Sequence, residues 1–183
     1  MQNLPTGWII LTSLLGVLCY TLWVIWREKE VVANNSIKHQ LHRLNFKTPS
    51  WWTIKETAQD YLQFHRADTR YDWTCHIERI SSNISLKNGE ELAEIFRHHM
   101  ELQKVQFDVE EFSLFIDDQV SPWIVRADGT ATENFTNRLY LEVALLYSNE
   151  QKDLYYLHSK SSVLNGSVEG PYFQTLLEEL ILA

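Results

Sequence analysis

The feature that most constrains this chain is an uncharged apolar stretch close to its N-terminus. Residues 7–26 read GWIILTSLLGVLCYTLWVIW and contain no Asp, Glu, Lys or Arg. A helix rises about 1.5 Å per residue, so a stretch of this length makes roughly 30 Å of helix, the thickness of the hydrocarbon core of a bilayer. The sequence therefore predicts one transmembrane helix that anchors everything after it.

Aromatic and basic residues mark the ends of this stretch. Trp8 lies at one end and Trp23 and Trp26 at the other, and indole rings favour the boundary between lipid and water. Arg27 and Lys29 follow at once. We expect these five residues to lie at the membrane interface. The leading MQNLPTG has no Lys or Arg and no small-x-small cleavage pattern follows, which favours an uncleaved anchor over a signal peptide.

Charge around the span predicts its orientation. Lys and Arg are retained on the cytoplasmic side, and they follow the span at Arg27, Lys29, Lys38 and Arg43 while none precedes it. We therefore expect the soluble part to face the cytoplasm. Four N-x-Ser/Thr triplets favour the alternative, an extracytoplasmic domain in which they would accept glycans. They begin at Asn34, Asn83, Asn134 and Asn165.

The chain after the anchor has the composition of one folded domain. Every charged residue follows residue 26, so the formal net charge of −8 belongs to the soluble part. A surface of that sign repels phosphate backbones, and nucleic acid is therefore not an expected partner. Cys19 falls inside the span and Cys75 in the soluble part, which argues against a disulfide scaffold. Cys75 alternates with apolar neighbours and is predicted to be a core residue on a strand.

We divide the chain into an N-terminal tail and span (1–26), a juxtamembrane stalk (27–49) and a soluble α+β domain (50–183). In the stalk, the spacing of Ile37, Leu41 and Leu44 predicts a short amphipathic helix. The domain is predicted to open with a helix that begins near Ser50 or Thr53, because Thr53 and Glu56 have the spacing of a capping box. One face of that helix would carry Ile54, Ala58, Tyr61, Leu62 and His65.

The remaining elements follow from periodicity. Alternation from Tyr71 to Ile77 predicts a strand, and a second helix is predicted from Asn88 to about Gln103. Strands follow near 105–116 with a bulge at Glu110–Glu111, then a short one at 123–126 that ends in an Asp128–Gly129 turn. Residues 138–147 are apolar on both faces and predict a central strand; 153–158 predict another. A last helix contains Pro171 in its first turn.

Short turns between these strands favour antiparallel neighbours, since parallel strands need long crossovers. The predicted fold class is α+β, with one N-terminal transmembrane helix followed by a domain whose helices pack on one face of a curved antiparallel sheet.

The residue patterns point to no assembled catalytic or metal site. HExxH, HxxEH, G-x-S-x-G, S-x-x-K and Gly-rich phosphate loops do not occur in the sequence, and His76-Ile77-Glu78 lacks the P-C-x-x-C partner of zinc deaminases. Asp117, Asp118 and Asp128 could bind a hard cation but match no EF-hand spacing, so solvated surface charge is the preferred interpretation. No cofactor is expected.

The function that fits this pattern is a membrane-anchored, non-catalytic interaction or assembly subunit of a membrane protein complex. Its partners would be the lipid bilayer and another membrane protein. Trp51 and Trp52 are the candidate partner-binding residues, although such a pair also packs in cores or docks on membranes. Two alternatives stay open: a tethered small-molecule sensor or enzyme with His65 as pocket acid or base, and an extracytoplasmic assembly or adhesion module.

Overall fold

The computed structural model describes residues 6–66, 72–108, 113–117, 119, 122–163 and 166–182. Within these ranges the chain forms three helices and ten strands. The helices are α1 (Thr6–Asn34), α2 (Gly89–Leu102) and α3 (Gly166–Leu182). The strands are β1 (Ser36–Leu41), β2 (Leu44–Pro49), β3 (Trp52–Thr57), β4 (Tyr61–Arg66), β5 (Trp73–Ser81), β6 (Val105–Phe107), β7 (Ser113–Asp117), β8 (Trp123–Glu133), β9 (Asn137–Ser148) and β10 (Asp153–Ser161).

Eight of these strands form one sheet in the order β3-β4-β5-β10-β9-β8-β6, with β7 also paired to β8. Strands β1 and β2 form a separate hairpin. All pairs among the described strands are antiparallel. The predicted mixture of helices with an antiparallel sheet is confirmed, and β9 lies centrally as its two apolar faces indicate. The predicted curvature of the sheet stays a prediction.

Core side chains cover both faces of the sheet. On one face, Ile77, Leu146 and Leu157 pack with the buried side of α3 and with the β1–β2 hairpin. On the other face, Leu145 and Tyr156 pack with the buried side of α2. The expectation that the helices share one face is therefore wrong: the strands alternate apolar residues to both sides, so each face needs its own cover.

Helix α2 forms where its pattern indicates, but α3 begins at Gly166, so Pro171 lies inside the helix and the prediction that it occupies the first turn is wrong. The side chain of Asn88 caps α2 by accepting a hydrogen bond from the Glu91 backbone N–H at 3.0 Å. The spacing of Phe173, Leu176, Leu177 and Leu180 predicts an apolar stripe on the last helix, and all four are buried. The same periodicity places Leu102 on the buried side of the second helix, but in the structure Leu102 is exposed and Met100 is buried.

The helix predicted from Ser50 or Thr53 to His65 is wrong. These residues form the β3–β4 hairpin, closed by a hydrogen bond from the Ala58 N–H to the Tyr61 carbonyl. The decisive side chains are Leu62 and Phe64, which alternate into the core beside β5. Pairing with a neighbouring strand overrides the local capping-box signal because it satisfies the backbone and buries both side chains.

The helix predicted in the stalk is also wrong. Helix α1 continues to Asn34, and β1 and β2 then turn at His42–Arg43, with Leu41 paired to Leu44. Leu41 and Phe46 of this hairpin are buried in the core. The division of the chain at residue 49 stays a prediction.

Two smaller expectations concern the segment before β9. Asp128–Gly129 is not a turn but lies inside β8, which continues to Glu133 because it pairs along its length with β9. The bulge predicted at Glu110–Glu111 lies outside the described residues, as does Tyr71.

Candidate functional site

A groove lies where α1 meets the folded domain. It has a volume of about 430 Å³ and is lined by Tyr20, Trp23, Val24, Arg27, Val31, Trp51 and Tyr172. Five of these residues belong to the second half of α1, and the other two come from the β2–β3 connection and from α3. We call this the membrane-end groove. It brings two of the five predicted interface residues, Trp23 and Arg27, together with Trp51 of the predicted partner site.

The apolar part of α1 makes no core for the domain. Residues Ile10–Arg27 form a helix long and apolar enough to cross a membrane, and none of that window is buried. Buried apolar helices of soluble proteins pass the same test by length and composition, but their side chains lie inside the fold. A signal sequence near an N-terminus shares both the composition and the exposure.

The predicted membrane-interface residues are distributed along α1. Trp8, Trp23 and Trp26 are exposed on the described helix. The guanidinium of Arg27 lies over the Trp23 ring, 5.4 Å from its centroid. Such a contact holds a cation at the level of the aromatic ring. Lys29 lies on the same helix, and its side chain is outside the described part of the molecule.

The two adjacent tryptophans have different environments. Trp52 is 2% exposed and lies 4.4 Å from Trp73 between ring centroids. Its indole N–H donates to Glu169 Oε2 at 2.8 Å, and Arg66 pairs with the other oxygen of that carboxylate. Trp52 therefore belongs to the core below the groove, where it holds α3 against β3 and β4.

Trp51 is half-buried and faces the groove. Its ring meets Tyr172 edge to face at a centroid distance of 5.1 Å. Its indole nitrogen has no hydrogen-bond partner among the described residues. An indole with an apolar body and an unsatisfied donor is typical of a lipid interface or of a protein contact. Of the predicted pair, Trp51 is thus the more exposed residue, and Trp52 is a core residue.

A second feature is a group of polar side chains on the α2 side of the sheet. Gln63, His65, Thr74, His76 and His158 lie on β4, β5 and β10 with their side chains on this face, and we call them the histidine face. His76 and His158 are direct cross-strand partners with ring centroids 5.1 Å apart. Helix α2 packs over β6, β7, β8 and β9, beside this group.

Several atoms of the histidine face lack protein partners. His65 Nδ1, Thr74 Oγ1 and His76 Nε2 are buried and have no hydrogen-bond partner among the described residues. Buried polar atoms are normally paired, so a cluster without hydrogen bonds is unusual; His76 Nε2 does lie 3.8 Å from Glu78 Oε2. The prediction of a helix at His65 is wrong: His65 lies on strand β4, where alternation with Phe64 places it on this face.

Three imidazoles of this region, those of His76, His99 and His158, have lowered pKa values and are held neutral. Burial lowers the pKa of His158 to about 3, with further contributions from His76, Lys160 and His99. Burial and Lys160 lower the pKa of His76, and burial and His98 lower that of His99. Neutral imidazoles donate at one ring nitrogen and accept at the other, which suits hydrogen bonding to polar groups of a partner.

A buried polar chain crosses the opposite side of the sheet beneath α3. The Trp73 indole N–H donates to Ser159 Oγ at 2.9 Å, and the Gln174 amide donates to Glu142 Oε1 at 3.2 Å. Burial raises the pKa of Glu142 to about 7, and neighbouring Asp128 adds to the rise. A Cβ on Gly170 would lie 3.1 Å from the Glu142 carboxylate, so any larger residue there would require the carboxylate to shift by a few tenths of an ångström.

A polar cleft lies at the other end of the domain, around the β1–β2 turn. It consists of two cavities of about 460 and 320 Å³ that share Arg43 and Gln151. Two residues of its lining, His42 and Arg79, hydrogen-bond to Asp60 through His42 Nε2 at 2.8 Å and Arg79 Nη2 at 2.7 Å. The Arg79 and His42 contacts hold the pKa of Asp60 below its usual range.

Other residues considered for chemistry are not brought together. Cys75 is fully buried, which confirms its predicted place in the core, and burial raises the pKa of its thiol. Asp117 and Asp128 lie toward opposite ends of the β7–β8 pair, and Asp118 is outside the described residues. Among the described residues, no three His, Cys, Asp or Glu side chains are arranged to hold a metal ion.

Comparisons with known proteins give a likeness of fold. No family model matches the chain, and no curated protein matches it in sequence. The structure is similar to the solution structure of cyanobacterial PsbP (CyanoP) from Synechocystis sp. PCC 6803, with a TM-score of 0.51 and 11% sequence identity. The match covers 79% of this chain and 90% of that protein. At this identity the similarity shows that the two chains share a fold.

Proposed function

We propose that this protein is a membrane-anchored, non-catalytic accessory subunit that binds another membrane protein. The observation that carries the proposal is α1, whose apolar window Ile10–Arg27 has no buried side chain. An exposed apolar surface of this length is costly in water and is stabilised by lipid. The anchor would confine the domain to the membrane surface and raise its effective concentration for a neighbouring protein.

The groove supports an anchor that leaves from one end of the domain. Trp51 and Tyr172 lie beside Trp23 and Arg27, at the end of the apolar window. This arrangement would bring Trp51 to the depth at which indole rings favour the lipid–water boundary. In this proposal Trp51 contacts the membrane, and partner binding uses a different surface.

We assign partner binding to the histidine face. His65, Thr74 and His76 each carry a polar atom without a hydrogen bond to the described residues, and the neutral imidazoles of His76 and His158 can donate and accept hydrogen bonds. A non-catalytic role is supported by the burial of Cys75 and by the sequence, which lacks the motifs of nucleophilic and phosphate-binding enzymes.

Site-specific photo-crosslinking tests this assignment. The variant Gln63→p-benzoylphenylalanine places the probe on the histidine face, where Gln63 pairs with His76. The matched control, Glu178→p-benzoylphenylalanine, places it on the exposed side of α3, which packs on the opposite face of the sheet. We expect a discrete adduct with a membrane protein from Gln63 in native membranes. Adducts from Glu178 alone, or from neither position, would contradict the proposal.

The side of the membrane is part of the same proposal. We place the domain on the cytoplasmic side, because the positive charges follow the span. Asn149, exposed in the β9–β10 turn, gives a suitable reporter as Asn149→Cys in a Cys19→Ser background, since Cys75 is buried. A membrane-impermeant maleimide should label it in lysed cells and leave it unlabelled in intact cells. Equal labelling in both would favour the extracytoplasmic alternative.

The polar cleft supports a second candidate function, small-molecule sensing. Its adjoining cavities combine the charged groups near Arg79 with an apolar wall that includes Leu146 and Leu180. His65 does not line this cleft, so the sensor would not use it. A ligand that raises the melting temperature of the wild-type protein but not of Arg43→Ala would favour this function.

A further inference from the structure

We infer that the domain carries a second membrane contact, a pair of exposed apolar side chains on two adjoining turns that insert into the lipid interface. The pair is Leu102, at the end of α2, and Phe135, in the β8–β9 turn. We call the two turns the apolar tip. This inference rests on the proposed anchor, because it concerns how an anchored domain lies on the bilayer.

The first observation is exposure. Leu102 is 67% exposed and Phe135 is 78% exposed. Among described residues outside α1, they are the two most exposed large apolar side chains. Single exposed apolar residues are common on protein surfaces, but two on adjoining turns form a patch that marks a contact with a protein or a membrane.

The second observation is that the two turns are joined. Val105 and Glu133 are paired in the β6–β8 ladder immediately before the tip. The Asn134 N–H then donates to the Lys104 carbonyl at 3.1 Å. Phe135 has a φ of 64°, a left-handed conformation that a bulky residue seldom adopts, and it is the residue that projects from this turn. The ladder thus fixes the Phe135 turn beside the one that follows Leu102.

The third observation is the position of the tip. The strand pairs show which residues lie at the same end of the sheet as Trp52. Trp52 begins β3 and pairs with Arg66 at the end of β4. At the same end, Ser161 of β10 pairs with Trp73 of β5 and with Tyr140 of β9. The tip therefore extends beyond the end of the sheet at which Trp51 faces the membrane-end groove. Five strand spacings separate β3 from β8, roughly 24 Å at about 4.8 Å each.

The charges around the apolar tip indicate whether its contact with the membrane is electrostatic or apolar. Arg138 pairs with Asp108 at 2.7 Å, and Lys160 pairs with Glu133 at 3.2 Å. Lys104 is exposed, and Glu101, which is also exposed and of opposite charge, lies three residues before it. Because these charges balance and the whole chain is acidic, attraction to anionic lipid headgroups does not drive the contact. Burial of the two apolar side chains in the lipid interface drives the contact instead.

The small size of the patch favours lipid over a protein partner. A stable protein interface buries about 800 Å² on each side, far more than two side chains provide. A weak contact suffices for a domain that the anchor already holds at the membrane, because docking is then intramolecular. The two contacts together would fix one orientation of the domain and so present the histidine face in a constant direction along the bilayer.

Depth-dependent quenching of the full chain tests this inference. The variant Gln103→Cys, in a Cys19→Ser background, carries an environment-sensitive fluorophore next to Leu102. This protein is reconstituted into phosphatidylcholine vesicles that contain lipids spin-labelled near the headgroup. We expect these lipids to quench the fluorophore, and to leave unquenched a fluorophore at Asn149→Cys, in the β9–β10 turn at the other end of the sheet. Adding phosphatidylglycerol should not increase the quenching.

Serine variants separate insertion of the tip from insertion of the fluorophore. The double variant Leu102→Ser/Phe135→Ser should lower the equilibrium constant for insertion of the labelled tip into the lipid interface about tenfold. Ile80→Ser is the matched control, since Ile80 is also exposed but lies toward the other end of the sheet. Both are surface changes, and circular dichroism would verify that each variant folds.

Washing the vesicles with carbonate distinguishes a failure of the proposed anchor from a failure of the apolar tip. If the wild-type chain is extracted from the vesicles, the proposed anchor is wrong and this inference with it. If the chain stays in the membrane but the Gln103 fluorophore is unquenched, or is quenched equally in the serine variant, the anchor stands and the apolar tip is overturned. Protection of the fluorophore only when a second membrane protein is present would likewise overturn it.

Discussion

At the scale of single residues, two buried glutamates on the α3 side of the sheet differ in how they are satisfied. Glu169 accepts from the Trp52 indole and pairs with Arg66, whereas Glu142 has only neutral donors at hydrogen-bonding distance. A buried carboxylate beside a cation is stabilised as an anion, and one among neutral groups resists ionisation. The two residues therefore make separate predictions for stability.

Removing the charge of Glu169 should destabilise the fold. The variant Glu169→Gln removes the charge of a residue that is 1% exposed and that pairs with Arg66. We expect the free energy of unfolding to fall by about 3 kcal/mol, because the change breaks an ion pair whose carboxylate is buried. Chemical denaturation in detergent measures it. Glu178→Gln, on the exposed side of the same helix, should change it little; equal effects of the two variants would refute the role of the pair.

Glu142 should make stability depend on pH near neutrality. Its pKa is about 7 in the folded chain against an ordinary value of 4.5, so between these values the folded state holds a proton that the unfolded state has lost. The free energy of unfolding then falls as the pH rises from about 4.5 to 7 and is level above that.

The variant Glu142→Gln isolates this contribution, because an amide does not titrate. Relative to this variant, we expect wild type to lose about 3 kcal/mol across the window. The free energy of unfolding of both chains is measured at the same series of pH values. The histidines titrate in both chains, so their contribution cancels in the difference. Parallel curves would show that Glu142 ionises normally.

At the scale of elements, the β3–β4 segment shows how pairing overrides local preference. Thr53 and Glu56 have the spacing of a helix cap, and Ile54, Ala58 and Leu62 have the spacing of a helix face. In the β3–β4 hairpin, this segment instead places Phe64 in the core and leaves Ile54 exposed on the edge strand. The two arrangements bury different side chains, so mutagenesis distinguishes them.

Alanine substitution should follow the hairpin pattern. Phe64→Ala removes a fully buried ring and is expected to lower the free energy of unfolding by about 3–5 kcal/mol. Ile54→Ala, across the ladder from it, should cost about 1 kcal/mol or less because that side chain is already exposed. Thermal or chemical denaturation gives both values. A larger effect at Ile54 than at Phe64 would favour the helix.

At the scale of the whole molecule, the anchor and the domain have separate tasks in the proposed function. Helix α1 would supply location, and the folded domain would supply recognition through the histidine face. The β1–β2 hairpin links them, because it begins at Ser36, directly after α1, and packs its buried residues beside α3. A short connection of this kind limits how far the domain can move from the membrane.

Deleting the anchor should therefore weaken binding without altering the binding surface. A chain lacking residues 1–34 keeps β1 and every other strand. We expect it to be recovered in the soluble fraction and to give about a hundredfold less crosslinked product from Gln63, because the tether no longer raises the local concentration. Undiminished crosslinking would mean that partner affinity alone is sufficient and that the anchor has another role.

The sequence by itself determined features that depend on neighbours along the chain. The apolar helix, the Asn88 cap of α2, the buried stripe of α3 and the two-faced strand β9 are all set by local composition and spacing. Their signals are long or carry a specific capping side chain, so no distant residue was needed to identify them.

Tertiary structure alone decided the rest. The β1–β2 and β3–β4 hairpins form because distant partners, α3 and β5, accept their buried side chains. The membrane-end groove, the histidine face and the apolar tip each join residues from separate elements, such as Trp51 with Tyr172 in the groove and Lys104 with Asn134 at the tip. Short segments have nearly balanced helical and extended preferences, and long-range pairing and burial supply the free energy that selects between them.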